Sequence, residues 1–466
     1  MKKLPTKFTK KQWIKFGMAA VLYTLFALWM QNGWLLLGLI VLVDIFLTQF
    51  IPWGAWKKTK NPRLRNVLEW VDDILFALVA VYMINLFIFQ NYQIPSSSLE
   101  KSLLVGDYLF VSKLSYGPRV PNTPLSFPLV QNTLPILNTK SYLEWPSWDY
   151  KRVKGLGKIK RNDIVVFNFP AGDTIAVKQQ NPDFYSWLEL VGRDRLYMDK
   201  ATFGDIIYRP VDKRENYVKR CIGMPGDSLE IRDNQVYING IAGENPTEMQ
   251  FVYYVETDGS PLTEDQFRLL NVSKEDRIRV SSDVHISLGL QPNDAGQYYP
   301  LYELPLTEKA VAIAKKLPIV RNVMIQPEPQ FSSGYYPVNY KKTGWGRDNY
   351  GPIWIPQKGE TIELNEQNLA LYSRCIKNYE NNTLEVKNGN VYINGELATT
   401  YTFRYDYYWM MGDNRHKSAD SRSWGFVPED HIVGKPILIW LSLDKDRSLF
   451  DGGIRWNRLF RMVHAD

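Results

Sequence analysis

Three short segments hold the side chains that could do chemistry. The first is NYQIPSSSLEKSLLVGDYLFVSK, which opens at Asn91 and places Ser96, Ser97 and Ser98 directly after a proline. The second is YVKRCIGMPGDSLEI, with Lys219 and Arg220 among apolar neighbours. The third is YWMMGDNRHKSADSRSWGFVPEDHIVGKP, where Ser418, Asp420 and Arg422 follow a Gly-Asp-Asn-Arg turn at alternating positions. Taken singly, each has a bland reading. A serine run after proline is a loop, and an exposed lysine covers apolar area with its stem. An Asp–Arg pair braces a turn. A lysine turned inward on a strand is different, because desolvation lowers its pKa. Such an amine, neutral near pH 7, can take the proton of a serine hydroxyl.

The other reactive residue types offer less. The four histidines, His285, His416, His431 and His464, have no metal-ligand spacing to each other or to Cys221 and Cys375. His416 lies beside the third segment without a serine at suitable spacing, which disfavours a Ser-His mechanism. Two cysteines make no disulfide framework. No metal and no cofactor is expected.

The elements that must position these side chains read as short strands. YLFVSKLSY, DIVVFNF, SLEIRDNQVYING and KPILIWLSL are rich in Val, Ile, Tyr and Phe and are broken by Gly, Pro, Asn and Asp. LEIRDNQVYING at 229–240 recurs as LEVKNGNVYING at 384–395, an offset of 155. Upstream, Arg220-Cys221-Ile222 echoes Arg374-Cys375-Ile376, which predicts matching strand positions for the two cysteines. Ser373 stands where the first copy has Lys219, so only one copy can use a lysine. The stretch between the copies contains two helix signals, a Thr263–Gln266 capping box and a Thr307 cap, but no chemistry. The expected organisation is a catalytic β core at 90–240 and 382–466, interrupted by an α+β subdomain at 241–381.

Before residue 90 the composition is apolar. Three stretches, about 13–30, 34–50 and 70–89, approach the length that spans a bilayer, with Trp13, Trp34, Trp53, Trp56 and Trp70 near their ends. The net charge is +7, and its N-terminal excess is clustered. Lys2, Lys3, Lys7, Lys10, Lys11 and Lys15 precede or enter the first stretch, and Lys57, Lys58, Lys60, Arg63 and Arg65 lie in the 51–69 loop. Both clusters flank apolar segments, so they read as topology determinants and not as a nucleic-acid surface. The cytoplasmic ends are then residues 1–12 and 51–69, and everything after about Phe89 is extracytoplasmic. Asp44, inside the second stretch, fits an interfacial or helix-pairing role. Ser98 follows Phe89 by nine residues, which keeps it within roughly 30 Å of the helix end.

The three segments, in this order, resemble signal peptidase I, the membrane-bound endopeptidase that removes signal peptides from exported proteins. VKRCIGMPGD and GDNRHKSADSRSWGFVPE carry the resemblance most specifically, and WLSLDKDRSLFDGGIRWNRLF resembles the family's end. The resemblance implies a mainly β, signal-peptidase-like catalytic domain with an inserted second domain, anchored by N-terminal transmembrane helices. It implies Ser98 as nucleophile and Lys219 as general base. Ser96 and the Ser98 N–H would form the oxyanion hole, Ser418 would orient the lysine, and Arg220, Asp420 and Arg422 would brace the site. The implied partners are secreted preproteins with signal peptides and the lipid of the inner membrane, with the catalytic domain on the periplasmic side. Oligomeric state is left open.

The chain departs from the family pattern at Leu99-Glu100-Lys101-Ser102, where Met, any residue, Pro and Thr are usual. Losing proline at 101 removes a backbone constraint just past the nucleophile. Asn162 replaces a usual glycine. These departures and the large insertion leave two other readings, a membrane-tethered binding module with a degenerate site and a Ser/Lys protease with regulatory substrates.

Overall fold

The computed structural model describes residues 8–54, 59–180, 182–328, 334–338, 343–448 and 451–464. Lys2, Lys3, Lys7, Trp56, Lys57 and Lys58 lie outside the described residues. The chain divides into two units, residues 1–90 with 113–158, and residues 91–112 with 159–466.

The first unit is helical at its start. Helix Lys10–Trp29 opens on a capping box in which Thr9 accepts from the Gln12 N–H and the Gln12 side chain accepts from the Thr9 N–H. The second apolar stretch, expected as one helix, is three pieces: a 3₁₀ turn Gly33–Leu37, a short α-helix Gly38–Val43 and a π turn Asp44–Thr48. Asp44 explains the break. Its carboxylate accepts from the Thr48 hydroxyl, the Phe50 and Ile51 N–H groups and the Trp53 indole. It therefore organises a helix end and does not pair helices. The third helix runs Pro62–Phe87 with Asn61 as its cap. It starts before residue 70, so Arg63 and Arg65 sit on its first turn and not in a loop. Among the described residues, no helix is long and apolar enough to cross a membrane. Large apolar side chains nonetheless stand exposed along both long helices, including Val21, Leu22, Leu25, Ile74, Phe76 and Val79.

The same unit contains a feature with no hydrophobic period to announce it. Residues 118–153 fold back on themselves as an irregular antiparallel arm. Val120 N–H bonds Lys151 O, Phe127 N–H bonds Ser141 O, and Leu143 N–H bonds Leu125 O. At its base, Val120 and Val153 pack with Met30 and Phe87.

The second unit is built on an antiparallel sheet. Its strands lie in the order Asp107–Ser112, Ile432–Ser442, Ile164–Asn168, Asn216–Gly223, Tyr407–Met411 and Val427–Pro428, and Arg461–Met462 pairs beside Ile432–Ser442. Register shifts at Tyr108/Leu109, Phe110/Val111, Ile432/Gly434 and Trp409/Met410 bend the strands. The core below the serine turn comprises Ile94, Leu99, Leu103, Leu109, Val111, Ile164 and Val166.

The repeat is real in three dimensions. Ser228–Arg232 pairs with Gln235–Ile238, and Leu384–Lys387 pairs with Asn390–Ile393, in the same register. Asn239 and Asn394 both adopt φ 53° and accept at Oδ1 from the N–H of Ser228 and Thr383. The expectation for the cysteines fails. Cys221 lies on the strand Asn216–Gly223, whereas Cys375 follows the helix Glu366–Arg374 in a π turn. Both are buried free thiols.

Between the hairpins, strands Gln250–Thr257, Leu301–Thr307 and Val320–Ile325 form a separate sheet with its own core around Val255, Leu270 and Leu304. Thr263 and Thr307 cap helices Glu264–Leu269 and Glu308–Ala314 as the sequence predicts. Tyr350–Trp354, by contrast, pairs with Ser228–Arg232, and helix Glu366–Arg374 buries Leu371 and Tyr372 in the core around that hairpin.

Candidate active site

Pro95 and Ser96 are extended and exposed, and the chain then tightens into the 3₁₀ turn Ser97–Leu99. Leu99 anchors the turn in the core, so its neighbour Ser98 is held in place, only 8% exposed. Lys219 comes from the strand Asn216–Gly223, which is paired on both sides, through Val165↔Lys219 and Met410↔Cys221. Its side chain is buried, and Nζ donates to Ser98 Oγ at 2.5 Å. Burial pushes the Lys219 pKa down to about 8, Asp420 and Asp413 pull the other way, and Arg422 adds to the fall. At pH 7 about one such lysine in ten is uncharged, against fewer than about one in a thousand for an ordinary lysine.

The third segment supplies the frame. Asp420 Oδ1 and Oδ2 accept from Arg422 Nε and Nη2 at 2.9 and 2.8 Å, and Oδ2 also accepts from the Gly412 N–H at 3.1 Å. Burial would raise the Asp420 pKa, but the Arg422 guanidinium outweighs it and holds the carboxyl below its ordinary value. Arg220 is bound elsewhere. Its Nε and Nη2 donate to the two oxygens of Asp413 at 2.8 Å each, and Nη1 donates to Asn162 O.

Asp413 and Asn414 were not singled out by sequence reasoning, yet they pin the turn that carries Ser98. The Asn414 N–H bonds Ser98 O at 3.1 Å, Asn414 Nδ2 bonds Ser97 O at 3.3 Å, and Ser102 Oγ donates to Asp413 at 2.6 Å. The available signal was charge bookkeeping. Arg220, Arg415 and Arg422 are all buried, and burying three guanidiniums demands carboxylate partners beyond Asp420. Gly412 was also missed. A Cβ there would collide with Ser418 Oγ and Ser98 O.

Two expected side chains stand apart from the Ser98–Lys219 contact. Ser418 packs against Gly412 beside the Ser98 carbonyl, but its hydroxyl donates to Ala419 O at 3.5 Å and not to Lys219. Outside the Ser97–Leu99 turn itself, no hydrogen bond is made by the Ser96 hydroxyl or the Ser98 N–H among the described residues. Lys101 sits at φ 76°, a conformation proline cannot adopt with its ring-fixed φ of about −65°. The turn past Ser98 therefore differs in backbone, as well as in sequence, from one built on proline. Ser102 keeps the hydroxyl that reaches Asp413. No group of three or more His, Cys, Asp or Glu is placed to hold a metal among the described residues.

Comparison with known proteins gives a consistent picture. A model of the family described as signal peptidase, peptidase S26, matches residues 67–281 and 355–441. Signal peptidase I of Buchnera aphidicola subsp. Acyrthosiphon pisum is 24% identical over 383 residues, covering 82% of this chain and 77% of that protein. Signal peptidase I of Haemophilus influenzae is 23% identical over 415 residues, with 87% and 79% covered. Signal peptidase I of Helicobacter pylori is 21% identical over 407 residues, with 85% and 92% covered.

Proposed function

The chain belongs to the signal peptidase family, peptidase S26, and from that premise we propose that Ser98 and Lys219 are the catalytic pair of an endopeptidase that cleaves signal peptides from preproteins. One observation carries the assignment of the pair. A buried amine with its pKa pulled down to about 8 lies 2.5 Å from a serine oxygen on a tightly anchored turn. A degenerate site would have no reason to keep an amine in so costly a place.

In the reaction, neutral Lys219 accepts the hydroxyl proton as Ser98 Oγ attacks the scissile carbonyl carbon. The oxyanion is met by the Ser98 N–H and the Ser96 hydroxyl, a class of donor typically worth about 10²–10³ in rate each. Protonated Lys219 then gives its proton to the amide nitrogen as the C–N bond breaks, and the mature chain leaves with a free amino terminus. Water attacks the acyl-enzyme. Lys219 takes the water's proton and returns a proton to Oγ, which frees the signal peptide with a new carboxylate.

The other side chains take supporting roles. Asp413 and Asn414 hold the Ser97–Ser102 turn, while Arg220 fixes Asp413. Asp420 and Arg422 set the Gly412 backbone against which Ser418 and the Ser98 carbonyl rest. A small rotation of Ser418 toward Lys219 would orient the amine.

Membrane anchoring is part of the same proposal. The exposed apolar faces of Lys10–Trp29 and Pro62–Phe87 support it, as do the basic residues that precede each helix. The catalytic unit then lies on the periplasmic face of the inner membrane, where a preprotein held by its own apolar segment presents its cleavage site.

The test is cleavage of an exported preprotein by purified full-length enzyme. Ser98→Ala and Lys219→Met are each expected to lower the rate by more than about 10³-fold, as loss of either member of a nucleophile–base pair does. Normal cleavage by either variant refutes the pair.

A further inference from the structure

The arm formed by residues 118–153 plays no part in the chemistry above, and its surface is out of keeping with water. Phe127, Leu129, Ile136, Leu137 and Trp145 project from it, Ile136 being 91% and Trp145 84% exposed. Isolated apolar residues on a surface need no explanation, but a run of large ones along a single arm does.

Its attachment says where the arm leads. The base is tied to the ends of the first and third helices. Trp29 Nε1 donates to Lys154 O at 3.0 Å, Lys151 Nζ donates to Gln31 O at 3.2 Å, and Val120 and Val153 pack on Phe87 and Met30. Farther along the arm, the Tyr82 hydroxyl donates to Pro124 O at 3.1 Å. Tyr82 precedes Phe87 by five residues, about 7.5 Å back along the helix axis. The arm thus runs back beside the helix, from its Phe87 end toward its middle.

We propose that this arm is a lipid-binding element that dips into the headgroup–acyl boundary of the leaflet that holds the Phe87 end of the third helix. The proposal rests on the reading that Pro62–Phe87 spans the membrane. The arm's chemistry fits that boundary. Cross-arm bonds such as Val120 N–H to Lys151 O, Phe127 N–H to Ser141 O and Leu143 N–H to Leu125 O satisfy part of its backbone polarity, which reduces the cost of leaving water; the rest stays at headgroup level. Trp145 and Trp148 are amphipathic rings suited to headgroup level. The Lys140–Glu144 pair at 2.5 Å lies near the tip, and Lys151 and Lys154 lie at the base. Those charges stop the arm short of the hydrocarbon centre, while the lysine stem lies along apolar surface. An apolar arm of this kind typically sits about 5–10 Å below the headgroup boundary.

Full-length protein in phosphatidylethanolamine/phosphatidylglycerol nanodiscs tests this. An environment-sensitive fluorophore is placed at Ile136→Cys, at Leu22→Cys in the first helix, or at Ile241→Cys in the repeat hairpin as an aqueous control. The native thiols, Cys221 and Cys375, are buried and do not label. Spin-labelled lipids carrying the quencher at a shallow or a deep acyl position are then added. The residue 136 probe is expected to lose at least about twofold in emission, more to the shallow quencher, while the residue 22 probe responds more to the deep one. Quenching at 22 without quenching at 136 overturns the arm proposal and leaves anchoring intact. No quenching at either position overturns both. A blue-shifted but unquenched residue 136 probe means that protein, such as a second copy of the chain, covers the arm, and this too overturns lipid binding.

Discussion

The two copies of the Leu-Glu…Tyr-Ile-Asn-Gly hairpin match strand for strand, but what precedes them does not. Both close through an asparagine at φ 53° and keep the same cross-strand partners. Upstream, Arg220-Cys221-Ile222 forms a strand with Ile164–Asn168 on one side and Tyr407–Met411 on the other. Arg374-Cys375-Ile376 ends a helix that Asn365 starts by capping the Asn368 N–H. The same tripeptide is strand in one place and helix in the other, because neighbours decide secondary structure when local propensity is neutral. The hairpin is a local structure and survives duplication. The lysine site needs two flanking strands and a serine turn, and exists once among the described residues.

The sharpest way to break that comparison is to move the lysine. Lys219→Met should lower preprotein cleavage by more than about 10³-fold, and adding Ser373→Lys to that variant should restore nothing. Any recovery in a processing assay would mean that the two positions are equivalent after all.

Stability should move the other way. Holding the Lys219 pKa near 8 against about 10.4 for a free lysine costs about 3 kcal/mol. The sign follows from proton counting. Below pH 8 both folded and unfolded forms carry the proton, so the whole penalty is present, and it is relieved as pH rises from about 8 toward 10.4. Lys219→Met should therefore be more stable than wild type at pH 7 by up to about 3 kcal/mol in urea unfolding. Equal or lower stability would show that the site holds its amine without strain.

A Lys219 that serves as base must lose its proton to work, and on that proposal kcat/KM should climb about tenfold per pH unit below 8 and flatten above it. A profile already flat at pH 6 would place the working group elsewhere.

The smallest expected effect tests the shared half of the comparison. Asn239→Ala and Asn394→Ala each remove a side-chain acceptor and put alanine at positive φ, and each should cost about 1–2 kcal/mol. Effects that differ by more than about 1 kcal/mol would show that the hairpins, alike in register, differ in how they are supported.

How much could be read beforehand follows the same division. Ser98, Lys219 and the Asp420–Arg422 pair were legible because each sits in a short segment of unusual composition. Asn414 was not, since it works largely through its backbone N–H, which every residue but proline has. Asp413 was hidden by its partner, because nothing local says that Arg220 will reach across the sheet. The second apolar stretch read as one helix because hydropathy is blind to the difference between α, 3₁₀ and π turns. Only the fourfold hydrogen bonding of Asp44 reveals the break. The 118–153 arm has neither a helical nor a strand period, so no pattern argument could find it.

The strand Ile432–Ser442 arrives late in the chain yet lies in the middle of the sheet, between Asp107–Ser112 and Ile164–Asn168. Ser102 and its partner Asp413 are 311 residues apart. A chain still being synthesised therefore holds the parts of a blade without its handle. The sheet that carries Lys219 is complete only once Ile432–Ser442 has been made and has taken its place between the two earlier strands. A chain that stops short of residue 442 is therefore expected to leave preproteins uncut, however well its earlier strands are made.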